Sequence, residues 1–161
     1  MTNIKLLNYG RHLIDDDDIE AVIAALRSDL ITQGPLVEQF ENAIAEKVGA
    51  SYAVAVTSGT AALHLACLAA GAGPKTHGLT SAMTFVATAN ALAYCGSSIG
   101  LCDIDEHTLG VSAKGVKAAL KNCPNTKIIM PVHFAGLAAD SKAIRETVGN
   151  DRIIIEDASH S

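Results

Sequence analysis

Between residues 14 and 49 the apolar positions recur at helical spacing. Ile19, Val22, Ile23 and Leu26 form one stripe. Ahead of it, Ile14-Asp15-Asp16-Asp17-Asp18-Ile19 supplies an N-cap at Asp15 and carboxylates in the first turn, where the helix dipole favours them. Ile14 and Ile19 have the spacing of a hydrophobic staple. A second helix opens at Gly34-Pro35, with proline in the first helical position. Val37, Phe40, Ile44 and Val48 carry its apolar face, and Gly49 closes it. The pattern then shortens. Residues 52–57 are β-rich and predict a strand, followed by a tight Ser58-Gly59-Thr60 turn and a helix over 61–70. Strands are predicted at 78–81, 99–104, 127–132 and 152–156. Helices are predicted at 85–95, from a Ser112 cap to about Asn122, and at 140–148.

From residue 52 onward, strand and helix alternate. That order implies an α/β fold with a mostly parallel sheet covered by helices on both faces. The two amino-terminal helices precede the sheet, which divides the chain into a helical segment, 1–50, and an α/β region, 51–161. Ligands of such sheets bind beyond the carboxyl ends of the strands. Those ends carry Ser58-Gly59-Thr60, Ser81-Ala82-Met83-Thr84-Phe85, Asp103-Ile104-Asp105, Pro131-Val132-His133 and Glu156-Asp157.

Composition narrows the function classes. The 161 residues are 49% apolar and 18% charged, enough for a real core and fitting one domain. The net charge is −5 and no two Lys or Arg are adjacent, which disfavours nucleic acid and anionic membranes. The first residues hold no apolar signal core, and no apolar run is long enough for a membrane span. Cys67, Cys95, Cys102 and Cys123 form no CxxC pair and read as buried thiols of a reducing, cytoplasmic compartment.

Ser58-Gly59-Thr60-Ala61 joins a strand to a helix N-terminus, where free N–H groups and the dipole favour an anion. Gly59 lets a phosphate approach the backbone, and Thr60 adds a hydroxyl. The competing reading is an ordinary capped turn. Asp157 ends an aliphatic strand, where a carboxylate needs a cationic or N–H partner. It suits either a protonated heterocyclic nitrogen or a local loop hydrogen bond. Gly71-Ala72-Gly73 follows a helix and is a helix stop rather than a dinucleotide fingerprint. The acids at 15–18 and the pair Asp103/Asp105 read as caps and solvated loop, not metal ligands. The six histidines have no metal spacing; His64 reads as a core residue, while His133 and His160 stand at strand ends. Ser58 lacks the Gly-x-Ser-x-Gly elbow of a serine hydrolase.

Taken together, residues 52–65, Thr84-Phe85-Val86-Ala87-Thr88-Ala89-Asn90-Ala91, Cys102-Asp103-Ile104-Asp105, Pro131-Val132-His133-Phe134-Ala135-Gly136 and Ile155-Glu156-Asp157-Ala158-Ser159-His160 resemble the DegT/DnrJ/EryC1/StrS family. So does Leu30-Ile31-Thr32-Gln33-Gly34-Pro35 followed by Phe40-Glu41. The resemblance implies the large domain of a type I pyridoxal-phosphate-dependent aminotransferase, a three-layer αβα fold. It implies pyridoxal 5'-phosphate as cofactor, with Gly59, Thr60 and Ala61 at its phosphate. Phe85 would stack on the pyridine ring, Asp157 pair with the ring nitrogen, and His160 stand beside the phenolic oxygen. Tyr9, Asp29, Leu30, Ile31 and Thr32 would form a substrate-binding edge. The implied reaction moves an amino group, with glutamate as donor, onto a nucleotide-linked keto sugar, in a homodimer or other self-associated form.

The chain departs from the family pattern at Ala82, where proline is common, and in the Gly73–Gly78 loop, which lacks an acidic residue. The family's Schiff-base lysine lies beyond the Glu-Asp-Ala-Ser-His segment, and none of the chain's lysines, the last of which is Lys142, matches it. These residues are therefore expected to be cofactor-binding groups without the catalytic one. The alternative is a truncated, non-catalytic module that binds phosphate or a partner. The family's partner strand for 52–57 also follows residue 161. Residues 52–57 are thus expected to pair onto the 152–156 edge, to have the gap closed by another chain, or to belong to a longer molecule.

Overall fold

The computed structural model describes residues 12–161. They fall into two compact units, divided between Ala55 and Val56. The amino-terminal unit carries α1 (Asp16–Leu26) and α2 (Pro35–Val48). Asp15 caps α1 through its side chain, and Asp18 returns the bond to the Asp15 backbone, a reciprocal capping box. The apolar stripe of α1 is exposed throughout. Pro35 starts α2 and Gly49 ends it at φ 67°, a left-handed conformation that suits glycine.

The second unit alternates as expected. Its elements are α3 (Gly59–Ala69), β1 (His77–Ser81), α4 (Val86–Tyr94), β2 (Ser98–Cys102), α5 (Ala113–Asn122), β3 (Ile128–Met130), α6 (Ser141–Val148) and β4 (Ile153–Ile154), with a 3-10 turn, Phe134–Gly136, before α6. The four strands are parallel, in the order β2-β1-β3-β4. The ladder at β4 continues past its nominal end, because Ile155 and Asp157 donate backbone N–H bonds to Ile129 and Pro131 at 2.9 Å each.

Strand alternation builds the two outer layers. Ile128 and Met130 point to one face, with Leu63 and Cys67 of α3 and Ala87, Ala91 and Leu92 of α4. Ile129 and Leu79 point to the other, with Val116 of α5 and Ile144 and Val148 of α6. The helix N-caps are side chains read correctly from the sequence for α5 (Ser112 to Gly115 N–H, 3.1 Å) and supplied by Asp140 for α6 (2.9 Å to Ala143 N–H).

Two expectations fail. Residues 52–57 form no strand and do not join the β4 edge, whose only neighbour in the sheet among the described residues is β3. β-branched residues favour an extended chain, but a strand also needs a ladder partner. Here Tyr52 is 88% and Val54 77% exposed, and Ala55 N–H bonds instead to Glu41 Oε1 at 2.7 Å. His64 is half-buried rather than a core residue, packed edge to face on Tyr94 with ring centroids 5.5 Å apart.

Candidate functional site

The carboxylate at Asp157 is the best-defined polar group at the strand ends. Its backbone is fixed in the ladder between Pro131 and His133, the latter donating its N–H to the Asp157 carbonyl at 3.0 Å. The residue is 4% exposed, and its side chain accepts three hydrogen bonds. Ser159 gives two of them to Oδ1, from its N–H at 3.2 Å and its hydroxyl at 2.7 Å. Thr88 gives the third, to Oδ2 at 2.5 Å, from the first turn of α4. That helix start places the positive end of a dipole beside the carboxylate.

The start of α3 comes to the same place. A Cβ on Gly59 would lie 3.3 Å from Ser159 Oγ, so the backbone at Gly59 closes against the residue that holds Asp157. Ser58 caps this helix and accepts the Ala61 N–H at 3.2 Å. The Ala61 N–H is thereby occupied. Gly59 and Thr60 keep first-turn N–H groups without an intrahelical acceptor, and Thr60 adds its hydroxyl. The donor set fits a phosphate next to a buried carboxylate.

Phe85 is the N-cap residue of α4, one turn ahead of Thr88, and the residue is 72% exposed. His160 lies in the exposed turn after Asp157, its ring 6.5 Å from that of Phe134. Gly59, Thr60, Phe85, Asp157 and His160 thus all belong to the second unit. Asp29, Leu30, Ile31 and Thr32 sit in the bend between α1 and α2 of the other unit, with Leu30 and Ile31 exposed. Tyr9 lies outside the described residues.

Thr88 and Ser159 were not legible as site residues. The signals were present: a hydroxyl inside the apolar helix start Val86-Ala87-Thr88, and an Asp-x-Ser spacing that favours a local side-chain-to-backbone bond. His133 is buried and braces the same strand end. Its Nδ1 accepts the Ala139 N–H at 3.0 Å, which puts the ring proton on Nε2, 3.9 Å from Glu156 Oε2. Glu156 also accepts the Ser141 hydroxyl at the start of α6.

A cavity of about 350 Å³ lies elsewhere, at the N-termini of α5 and α6, lined by Asp105, Val111, Ser112, Lys114, Leu137 and Asp140 among others. Its acids already serve the fold. Asp140 caps α6, and the Asp105 carboxyl is held below its ordinary value by the backbone N–H groups of Thr108 and His107. Among the described residues no helix is long and apolar enough to cross a membrane.

With this geometry established, comparison with known proteins gives its class. The chain belongs to the DegT/DnrJ/EryC1/StrS aminotransferase family, whose sequence profile matches residues 12–161. It is 42% identical over 156 residues to the spore coat polysaccharide biosynthesis protein SpsC of Bacillus subtilis (strain 168), covering 96% of this chain and 40% of that protein. Among solved structures it is similar to 3-amino-5-hydroxybenzoic acid (AHBA) synthase, with a TM-score of 0.83 and 35% identity over 92% of this chain and 39% of that one. It is also similar to GDP-4-keto-6-deoxymannose-3-dehydratase with a trapped PLP-glutamate geminal diamine, with a TM-score of 0.85 and 28% identity over 96% of this chain and 41% of that one. The chain therefore spans about two fifths of the length of these relatives.

Proposed function

We propose that these residues form the cofactor-binding wall of a pyridoxal-phosphate-dependent aminotransferase acting on a nucleotide-linked keto sugar, with glutamate as amino donor. The observation that carries the reading is the meeting of the α3 N-terminus with Asp157, through Gly59 and Ser159. A phosphorylated pyridine needs an anion site and a carboxylate within one small ligand's length, and these two groups lie side by side. Bound pyridoxal phosphate supplies an electron-withdrawing ring that stabilises negative charge on the substrate carbon. This chain's residues have the supporting roles. Gly59 and Thr60 hold the phosphate, with Ala61 continuing the cup, and the helix dipole adds to their N–H groups. Phe85 offers an aromatic face at the edge of the site. Asp157 accepts the ring N–H and keeps that proton in place. His160 stands on the turn that would face the ring's oxygen. Tyr9 and Asp29, Leu30, Ile31 and Thr32 are the proposed sugar-side residues.

The names of the relatives, in spore coat polysaccharide biosynthesis and in GDP-keto-sugar chemistry, support a sugar rather than an amino-acid substrate. At finer grain, Tyr9 ahead of His12-Leu13-Ile14-Asp15, with the segment 29–33, is similar to the pseudaminic-acid-pathway transaminase. The proposed product is then UDP-4-amino-4,6-dideoxy-N-acetyl-β-L-altrosamine. Calorimetric titration of the chain with pyridoxamine 5'-phosphate tests the wall itself. Saturable binding that inorganic phosphate displaces is the expected result, and no binding overturns the reading. Formation of 2-oxoglutarate from glutamate and a UDP-linked keto sugar tests the reaction.

A further inference from the structure

Asp157 has fewer open positions than a free carboxylate. An ionised carboxylate offers about four lone-pair positions over its two oxygens. Ser159 fills both at Oδ1, and Thr88 fills one at Oδ2. One acceptor position remains, on Oδ2. Thr88 is fully buried, and its hydroxyl has a single proton to give. The Asp157 oxygen at 2.5 Å takes it in preference to the Phe85 carbonyl at 3.2 Å, because the bond to a charged acceptor is the stronger. The Thr84 hydroxyl, 2.7 Å away, then donates to Thr88. A chain of hydroxyls thus runs from half-buried Thr84 through Thr88 to the carboxylate, each bond polarising the next.

We propose that Thr88 is a positioning residue: it fixes the plane of the Asp157 carboxylate and leaves Oδ2 one acceptor position, fitted to a single ring N–H and unable to take a two-pronged donor such as a guanidinium. The inference rests on the cofactor reading above and extends it to a residue that touches the carboxylate rather than the ligand. Without the hydroxyl, the carboxylate keeps only its two Ser159 bonds at Oδ1, Oδ2 has two open acceptor positions instead of one, and the ring N–H loses its single defined place.

The test compares two probes on the protein and on Thr88→Val and Thr88→Ser. Pyridoxamine 5'-phosphate has the ring nitrogen; its 1-deaza analogue keeps the phosphate and the ring shape without it. Thr88→Val is expected to bind pyridoxamine 5'-phosphate roughly ten-fold more weakly, the usual effect of losing one charge-assisted contact. It is expected to bind the deaza analogue as the unmodified protein does, and Thr88→Ser to restore the loss. Should the valine variant not fold by circular dichroism, Thr88→Ala makes the same comparison. An equal loss for both probes shows a purely structural role and overturns the inference. No loss for either probe overturns it too, while the cofactor reading stands. Failure of the unmodified protein to bind pyridoxamine 5'-phosphate overturns the cofactor reading, and the inference with it.

Discussion

At the scale of residues, Asp157 and Thr88 show how far a one-dimensional pattern reaches. Asp157 was legible because it closes the Glu156-Asp157 pair that follows Ile153-Ile154-Ile155, at a strand end, where such sheets bind ligands. Its partners were not legible. Thr88 lies 69 residues away, and only the packing of α4 over the sheet brings its hydroxyl to Oδ2. Ser159 was within reach of the pattern, two residues on. The occupied N–H of Ala61 is equally a matter of local geometry, since either Ser58 or Thr60 could have capped α3. If Asp157 holds a ring N–H, Asp157→Asn should weaken pyridoxamine 5'-phosphate binding by about 10- to 100-fold, because the amide carries no charge to favour the protonated ring. The far-ultraviolet circular dichroism should be unchanged, as the amide oxygen still accepts from Ser159. Equal affinity by calorimetry in the two proteins would remove Asp157 from the ligand site.

At the scale of elements, the caps carried most of the information. Asp15 and Ser112 mark helix starts, and Gly49 a helix end, each to within a residue, because each answers a need of the helix terminus itself. Residues 52–57 show the opposite case: their β-rich composition describes a preference, and the ladder that would realise it depends on a neighbour. Gly115 is a further position that local rules misjudge. Gly115 lies in the first turn of α5, and alanine is ordinarily preferred to glycine in a helix, by about 1 kcal/mol in the interior. In α5, a Cβ at Gly115 would meet the Asp103 carbonyl oxygen at 2.7 Å, an atom of the backbone that cannot swing aside. Gly115→Ala should therefore reverse the usual sign and destabilise by about 1 kcal/mol or more, as overpacking does. Urea unfolding followed by circular dichroism reads this directly, and a midpoint at or above that of the parent would show that α5 has room to shift.

At the scale of the molecule, two features act on every part at once. The first is a pair of thiols, one in each hydrophobic layer. Burial pushes Cys67 and Cys102 up from 9.0 to about 11, with Cys95 and Cys123 as the second cause for each in turn. The folded form thus holds its protons more tightly than the unfolded one. Stability from this source is complete below pH 9, and is lost as pH rises through about 11. The urea midpoint should fall over that window, and by less in a Cys67→Ala/Cys102→Ala variant; the same fall in both would assign the effect to other groups. The second feature is the apolar surface of α2. Val37, Phe40, Ile44 and Val48 keep one helical stripe and all are exposed, Phe40 by 58% and Val48 by 67%. A stripe of this kind is stable in water when something covers it, and a second copy of the chain always accompanies the first. Sedimentation velocity over a hundred-fold range of concentration should therefore show a sedimentation coefficient that rises with concentration. Phe40→Glu, which puts a charge in the middle of the stripe, should shift the rise to higher concentration while leaving the helix content unchanged. A single monomeric boundary at every concentration, with the parent and Phe40→Glu indistinguishable, would show that the stripe takes no part in self-association.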